Sequence, residues 1–164
     1  MTDHVRACTM AVHENVYPGP NREKYVIRRL LRRAVLDGYM LGKRDPFLYE
    51  LVAKVVEMMN TGYPELNETS DRVANVIQAE EKGCLETIER GLPMAQAILD
   101  EMESAGEMMV DGEQAAHIYA TYGFPPELFE TLAIERDRTF GWTKFHEAIG
   151  GAAGVEVRLG GIAG

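Results

Sequence analysis

The sequence has few of the residues that build disulfide frameworks, metal sites and membrane spans. Its two cysteines, Cys8 and Cys84, match no zinc-binding spacing, and its four histidines are scattered along the chain. Two cysteines cannot form a disulfide framework, so we expect both thiols to be buried and reduced. No apolar run approaches the roughly 20 residues that a membrane helix needs, and the first residues lack a signal-peptide pattern. These absences predict a cytoplasmic protein with no membrane partner.

Recognisable catalytic motifs are missing as well. The sequence contains no glycine-rich phosphate loop, nucleophile elbow, HExxH zinc motif or EF-hand loop. Acidic pairs such as Glu80-Glu81 are adjacent in sequence. Neighbouring residues of a helix point about 100° apart, so such a pair does not converge on one substrate. We therefore predict no catalytic residue, no metal ligand and no cofactor in this chain.

The apolar residues that are present recur at helical spacing, and no stretch alternates as a strand does. We predict an all-α fold, an irregular bundle of about six helices. One long helix over 68–104 is expected to be kinked or split near Pro93, because proline removes a helical hydrogen bond. A shorter helix is expected after Asp45, with Asp45 as its N-cap and Pro46 at its first position.

The composition changes near residue 150. Residues 150–164 contain six of the 16 glycines and few large apolar groups. We predict a helical recognition domain over 1–149, followed by a glycine-rich flexible tail or linker over 150–164.

Basic residues are outnumbered by acidic ones, but they are concentrated in one segment. The chain of 164 residues carries 17 lysines and arginines against 26 acids, a formal net charge of −9. Residues 22–44 hold eight of the basic residues and two acids, which gives this segment +6 and leaves −15 for the rest. A cationic face on an acidic body attracts a polyanion at one place and repels it elsewhere.

The arginines of this segment share one side of a predicted helix over 22–41. At about 100° per residue, Arg28, Arg29, Arg32 and Arg33 fall within an arc of about 140°. We call these four residues the arginine ridge. The opposite arc is predicted to be the buried face. It consists of Val26, Ile27, Leu30, Leu31, Ala34 and Val35, whereas Tyr25 and Leu36 project among the arginines.

Residue types alone leave two explanations of the arginine ridge about equal. Guanidinium groups bind phosphates in bidentate fashion and stay charged at physiological pH, and Tyr25 could stack on a base, which suits RNA. Alternatively, the arginines pair with acids of the long helix and form part of a scaffold or protein-interaction module. Exposed ion pairs contribute only about 0–1 kcal/mol each, which favours recognition. The acids concerned are Glu80, Glu81, Glu86 and Glu89.

A third, weaker alternative is a helix–turn–helix DNA binder that uses the helix over 22–41. The −15 on the rest of the chain counts against it, as does the lack of a short helix and turn before the basic helix.

Four segments resemble alanyl-tRNA synthetases, in the order and at about the spacing of that family. They are residues 3–9 (DHVRACT), 25–34 (YVIRRLLRRA), 89–92 (ERGL) and 119–125 (YATYGFP), and the likeness covers residue 3 to about 149. In the family these segments belong to the helical region between the class II catalytic domain and the editing domain. The resemblance implies a fragment of an ATP-dependent ligase that is not active alone, with ATP and zinc bound only in domains that this chain lacks.

In that family the helical region contacts the acceptor stem of alanine tRNA, whose identity lies in a G·U wobble pair. The major groove of an RNA helix is too deep and narrow to read, so the shallow minor groove is used. The guanine 2-amino group of a G·U pair has no pairing partner there. An Asn or Asp oxygen can accept its hydrogen, while arginines hold the phosphates and set the register.

The resemblance carries over to individual residues. By ungapped alignment the family's recognition asparagine falls on Arg22, with Asn21 beside it, and Arg33 falls on an arginine linked to stem binding. Ala120 stands where the family has an acid. The resemblance implies the alanine tRNA acceptor stem as partner, together with the catalytic and editing domains of a parent synthetase. The tRNA-binding residues we predict are Asn21, Arg22, Lys24, Tyr25, Arg28, Arg29, Arg32 and Arg33.

Overall fold

A computed structural model describes residues 2–152 of the chain, and the side chains of residues 3–150. Helices dominate this part, so the predicted all-α class is confirmed. It contains seven helices rather than about six, and two strands of two residues each. The elements are α1 (Thr2–His13), α2 (Arg22–Met40), α3 (Leu48–Met59), α4 (Leu66–Ala105), β1 (Met109–Val110), α5 (Gly112–Tyr122), α6 (Pro126–Glu135), β2 (Thr139–Phe140) and α7 (Trp142–Ala152).

The helices belong to two compact units, of which the first ends at Leu85 and the second begins at Glu86. The boundary falls within α4, so each unit contains a part of this helix. The predicted tail over 150–164 overlaps the end of α7, and beyond Ala152 it lies outside the described residues.

In the first unit α1 packs against both α2 and α3. Cys8 and Cys84 are both buried and neither forms a disulfide, as expected. Gly38 of α2 packs closely against the segment before α3: a Cβ added there would lie 2.3 Å from Cζ of Phe47, so the phenyl ring would have to shift. The buried apolar side chains of these three helices are Val5, Cys8, Val12, Leu31, Ala34, Val35, Leu36, Leu48, Val52, Val55 and Val56.

Helix α3 begins later than the sequence predicted. Its first residue is Leu48 and Phe47 occupies the N-cap position, so Asp45 does not cap it. The reason is a tertiary contact: Oε1 of Glu81 accepts from the amides of Phe47 (2.8 Å) and Leu48 (2.6 Å), and Oε2 accepts from that of Tyr49 (3.0 Å). The carboxylate of Glu81, on α4, thus caps α3 in place of Asp45, the predicted N-cap.

The same stretch of α4 also supports the end of α1. The guanidinium of Arg72 donates to the carbonyl oxygens of Val12 (3.3 Å) and His13 (3.2 Å) and to the side chains of Asn15 and Tyr17. A cation at a helix C-terminus complements the negative end of the helix dipole. Helix α4 therefore supplies complementary charges to two neighbouring helix ends.

Helix α4 runs without interruption from Leu66 to Ala105, so it is not split near Pro93. Proline has no amide hydrogen, so Pro93 leaves the carbonyl of Glu89, four residues earlier, without its usual helical donor. Both residues are exposed. An exposed carbonyl can bond to water, which makes proline tolerable there. A kink at Pro93 remains a prediction.

The second unit surrounds a cluster of aromatic rings. Phe140 contacts Phe129, Trp142 and Phe145 with ring centroids 4.6 to 5.9 Å apart. Strands β1 and β2 pair in parallel, a feature that two-residue strands are too short to signal by alternation. Asp111 caps α5, its side chain accepting from the amide of Glu113 at 3.2 Å.

Candidate nucleic-acid interface

The predicted recognition loop lies at the start of α2. Asn21 occupies the N-cap position with an extended backbone, and its side chain makes no capping hydrogen bond. Arg22 has a φ of 45°, which is unusual for a residue other than glycine. The loop is closed by the amide of Gly19, which donates to the carbonyl of Lys24 at 2.9 Å. Asn21, Arg22 and Lys24 are all exposed, so their side chains face solvent.

The buried face of α2 is rotated relative to the prediction. Leu36, expected among the arginines, is buried, and Val26, expected in the core, is 53% exposed. Helix α2 contacts α1 on one side, and on another side it meets the acids of α4. Because both flanks are partly covered, the arginine ridge is not one uniform exposed surface.

The arginine ridge divides into two pairs. Arg28 and Arg32 point towards α4, where their Nε atoms lie 3.0 Å and 3.5 Å from Oε1 of Glu80. Their side chains are 27% and 22% exposed, and that of Glu80 is 17% exposed. One carboxylate therefore serves two guanidinium groups that are one helical turn apart. We call Arg28 and Arg32 the inner pair.

The other two arginines, Arg29 and Arg33, are exposed, and we call them the outer pair. Nε of Arg33 donates to Asp37 one turn further along α2 at 3.2 Å. Such an exposed pair within one helix stabilises it by only a few tenths of a kcal/mol, about 0.3–0.5. Among the described residues no ion pair or hydrogen bond is formed by the side chain of Arg29.

The structure thus brings the predicted site residues together in part. The exposed cations Arg22, Lys24, Arg29 and Arg33 lie on α2 and are open to solvent. Tyr25 is half-buried, with its amide bonded to the carbonyl of Asn21 at 3.2 Å. The inner pair is partly engaged by Glu80, one of the acids considered as partners of the ridge.

Glu81, the next residue, has a function that the sequence did not reveal. It is fully buried and binds the amides at the start of α3, so it does not neutralise the ridge. Burial raises the pKa of this carboxyl above its ordinary value, while the bonds from the three amides act in the opposite direction. The apolar neighbours of Glu81 along α4 were the available signal, since they place this acid on the buried stripe.

The basic segment continues past the end of α2. The guanidinium of Arg44 lies 3.8 Å from the ring centroid of Tyr39, and it donates to the carbonyl oxygen of Tyr39 at 2.7 Å. Gly42, which directly follows the predicted helix over 22–41, has a φ of 94°. Its amide donates to Tyr39 and that of Lys43 to Gly38, both at 3.0 Å, which is the Schellman pattern. This turn keeps Lys43 and Arg44 exposed.

The second unit contains residues 119–125, one of the four segments that carry the resemblance. Ala120 is exposed near the end of α5, and Tyr119 beside it is 40% exposed. In this unit the guanidinium of Arg136 forms two ion pairs: its Nη1 atom lies 2.6 Å from a carboxylate oxygen of Asp100 and 3.5 Å from one of Glu103. The hydrogen bond to Asp100 raises the pKa of Arg136 above its ordinary value.

Within the residues that the structure describes, no group of three or more His, Cys, Asp or Glu side chains could hold a metal ion. No helix of this part is long and apolar enough to cross a membrane. The candidate site described above consists of the exposed cations of α2, which are Arg22, Lys24, Arg29 and Arg33.

The comparison with protein families gives a match over residues 1–153, to the family model described as tRNA synthetases class II (A). Relatives within it bear the name alanine–tRNA ligase. The chain is 50% identical over 149 residues to that of Rhodopirellula baltica. It is 41% identical over 149 residues to those of Burkholderia cenocepacia and Burkholderia mallei. The chain belongs to the alanyl-tRNA synthetase family.

These alignments cover 91% of this chain but only 16% or 17% of each relative. The chain thus spans about one sixth of the length of the alanyl-tRNA synthetases that it matches. The chain corresponds to a helical segment of such an enzyme, and the exposed cations of α2 lie within that segment.

Proposed function

We propose that this chain is the tRNA-binding helical region of an alanyl-tRNA synthetase, and that it contacts the acceptor stem of alanine tRNA. The observation that carries the proposal is the exposed, unbalanced charge on α2. Arg22, Lys24, Arg29 and Arg33 face solvent in a segment with a net charge of +6. Phosphate contacts made by such side chains position a duplex without reading its sequence.

The start of α2 adds to this argument. The N-terminus of a helix carries a partial positive charge, so Arg22 and Lys24 lie where cations disfavour the helix. Glu23 is the only acid in the first turn. An anionic partner would stabilise this arrangement, and an RNA backbone supplies one.

We propose that Asn21 reads the G·U pair. Its side chain is exposed and is not used as a helix cap, so its amide oxygen can accept a hydrogen bond from the guanine 2-amino group. Ala120 has no polar group to contribute. In this proposal the loop before α2 distinguishes a G·U from a G·C stem, and the cations that follow the loop provide the affinity for the stem.

The remaining parts of the proposal concern the parent enzyme. Residues 1–149 form the recognition region and 150–164 a linker. The catalytic domain elsewhere in the enzyme binds ATP and attaches alanine to the stem that this region holds, and a separate editing domain binds zinc. The enzyme works in the cytoplasm with the translation machinery.

A second candidate function is a helical scaffold or protein-interaction module. The ion pairs of Glu80 with Arg28 and Arg32 favour it, because half of the arginine ridge is engaged within the chain. The outer pair distinguishes the two functions, since a scaffold has no use for Arg29 and Arg33 in solvent.

Binding of RNA hairpins tests the proposal. One hairpin carries the acceptor stem with the G·U pair and the other has G·C at the same position, and fluorescence anisotropy measures both at two salt concentrations. We expect tighter binding of the G·U hairpin and a log–log salt slope of roughly −3 to −4, corresponding to four phosphate contacts. Equal affinity for both stems would contradict G·U reading, and no binding would favour the scaffold.

A further inference from the structure

The inner pair of arginines is held in an unusual way. The Nε atoms of Arg28 and Arg32 are both buried, and neither is in hydrogen-bonding geometry. They lie 3.0 Å and 3.5 Å from the same oxygen of Glu80, so electrostatic attraction to this carboxylate holds both guanidinium groups. Since the Nε atoms are buried, the 27% and 22% exposure of the side chains comes from their other atoms.

Glu80 therefore contacts each guanidinium on its inner edge. A guanidinium has five N–H donors in a rigid fork, of which Nε supplies one. Without the carboxylate, two like charges one helical turn apart would repel each other. With it, Arg28 and Arg32 form a group of net charge +1 whose positions are coupled through one oxygen atom.

We propose that Glu80 is a positioning residue of the interface, which fixes the spacing of Arg28 and Arg32 and so selects the shape of the duplex. This inference rests on the proposed function. An RNA stem is A-form with a wide, shallow minor groove, whereas B-form DNA has a narrower one. Guanidinium groups at a fixed spacing fit one phosphate geometry, whereas unrestrained arginines adapt to both.

The roles of the four arginines then differ. The outer pair supplies most of the electrostatic attraction, which any duplex experiences. The inner pair adds preference for RNA, because its side chains cannot follow the phosphates of a different helix. Glu80 lowers the net positive charge of the arginine ridge. Its contribution to selectivity for RNA is therefore accompanied by a weaker electrostatic attraction to any duplex.

The variant Glu80→Gln tests this proposal, and Glu68→Gln is its matched control. Both remove one negative charge from α4, but Glu68 is exposed in the first turn of the helix. Affinities are measured for an RNA hairpin and a DNA hairpin of the same sequence, and circular dichroism checks folding. We expect Glu80→Gln to strengthen DNA binding on the order of fivefold, as for one unit charge at contact distance in water, and RNA binding less. Glu68→Gln should leave the ratio of the two affinities unchanged.

Nuclear magnetic resonance of the arginine Nε–Hε groups is a second readout that does not need RNA. In the unmodified chain the Hε protons of Arg28 and Arg32 should exchange with water more slowly than that of Arg29. In Glu80→Gln the difference should disappear. Similar exchange of all three protons in the unmodified chain would overturn the anchoring.

The two proposals fail in different ways. If the unmodified chain binds neither hairpin, the proposed function is wrong and the selectivity assigned to Glu80 is wrong with it. If the chain prefers RNA and Glu80→Gln keeps the same preference, only the role of Glu80 is overturned.

Discussion

The N-termini of α2 and α3 lie in the same unit, but their charges are treated in opposite ways. At the start of α3 the amides of Phe47, Leu48 and Tyr49 bind the buried carboxylate of Glu81. At the start of α2 the side chain of Asn21 forms no cap, and Arg22 beside it is exposed with a positive φ. One end is satisfied within the protein, whereas the other is left open to solvent.

The start of α3 is thus part of the internal packing of the fold, whereas the start of α2 keeps its polar side chains in solvent. Helix N-termini have unpaired amides and attract anions. The chain provides its own anion for α3, through a residue distant in sequence. For α2 it instead adds cations, Arg22 and Lys24, which increases the positive potential. The four predictions below test this contrast, beginning with the largest expected effect.

Removal of the internal anion should destabilise the fold. We expect Glu81→Ala to lower the free energy of unfolding by about 2–4 kcal/mol, because three amides lose their acceptor in a buried place. Urea unfolding followed by circular dichroism measures it. The control, Glu68→Ala, removes an exposed acid of the same helix and should change stability by less than about 0.5 kcal/mol. Similar losses in both variants would contradict the importance of the α3 cap.

Removal of the outer pair should affect binding but not the fold. We expect the double variant Arg29→Ala, Arg33→Ala to weaken binding of any RNA stem by about tenfold, roughly 1.4 kcal/mol. Its salt slope should become shallower by about 1.4–1.8. The control changes Lys54 and Lys82 to alanine, two exposed lysines outside the basic segment. An equal loss of affinity in the control would mean that net charge alone matters.

The pH dependence of stability should report on Glu81. Its pKa is raised by burial, so the folded chain holds this proton more tightly than the unfolded chain, in which the pKa is about 4.5. The stabilisation is therefore complete below about pH 4.5 and declines as the pH rises towards the folded-state pKa. Glu81→Gln lacks this titration.

The measurement is the difference in unfolding free energy between the unmodified chain and Glu81→Gln, from urea titrations between about pH 4 and 8. We expect the advantage of the unmodified chain to decrease as the pH rises. A constant or growing advantage would show that the pKa of Glu81 is not raised in the folded chain.

The smallest effect is expected at the open N-terminus. Because the side chain of Asn21 makes no capping bond, Asn21→Ala should leave stability within about 0.5 kcal/mol. It should nevertheless reduce the preference for the G·U hairpin over the G·C hairpin, since one hydrogen bond contributes about 0.5–1.5 kcal/mol. An unchanged preference would mean that another residue reads the pair.

Much of the fold was predictable because its signals are local. The helical periodicity depends on neighbouring residues, and the helices that it predicts are confirmed. The cap at Asp111 and the glycine turn at Gly42 are equally local features. The strands β1 and β2 escaped prediction because two residues are too few to alternate. The alternative of a split at Pro93 was wrong, since α4 is continuous through this exposed residue, whereas a kink there stays a prediction.

The candidate site was predictable in composition but not in arrangement. Sequence placed Arg28, Arg29, Arg32 and Arg33 on one face, which is a property of any helix. It could not tell that Glu80 engages two of them and leaves two outside, because that depends on how α2 lies against α4. The burial of Leu36 and the exposure of Val26 have the same cause.

The helices, the concentration of positive charge on α2 and, through its motifs, the family all follow from the amino-acid sequence alone. These depend on neighbouring residues and on residue counts. Only the tertiary structure decided the functions of two adjacent acids: Glu80 pairs with Arg28 and Arg32, and Glu81 caps α3. Adjacent residues on a helix point about 100° apart. Their partners are therefore set by which helices pack on each side, and this information lies far away in the chain.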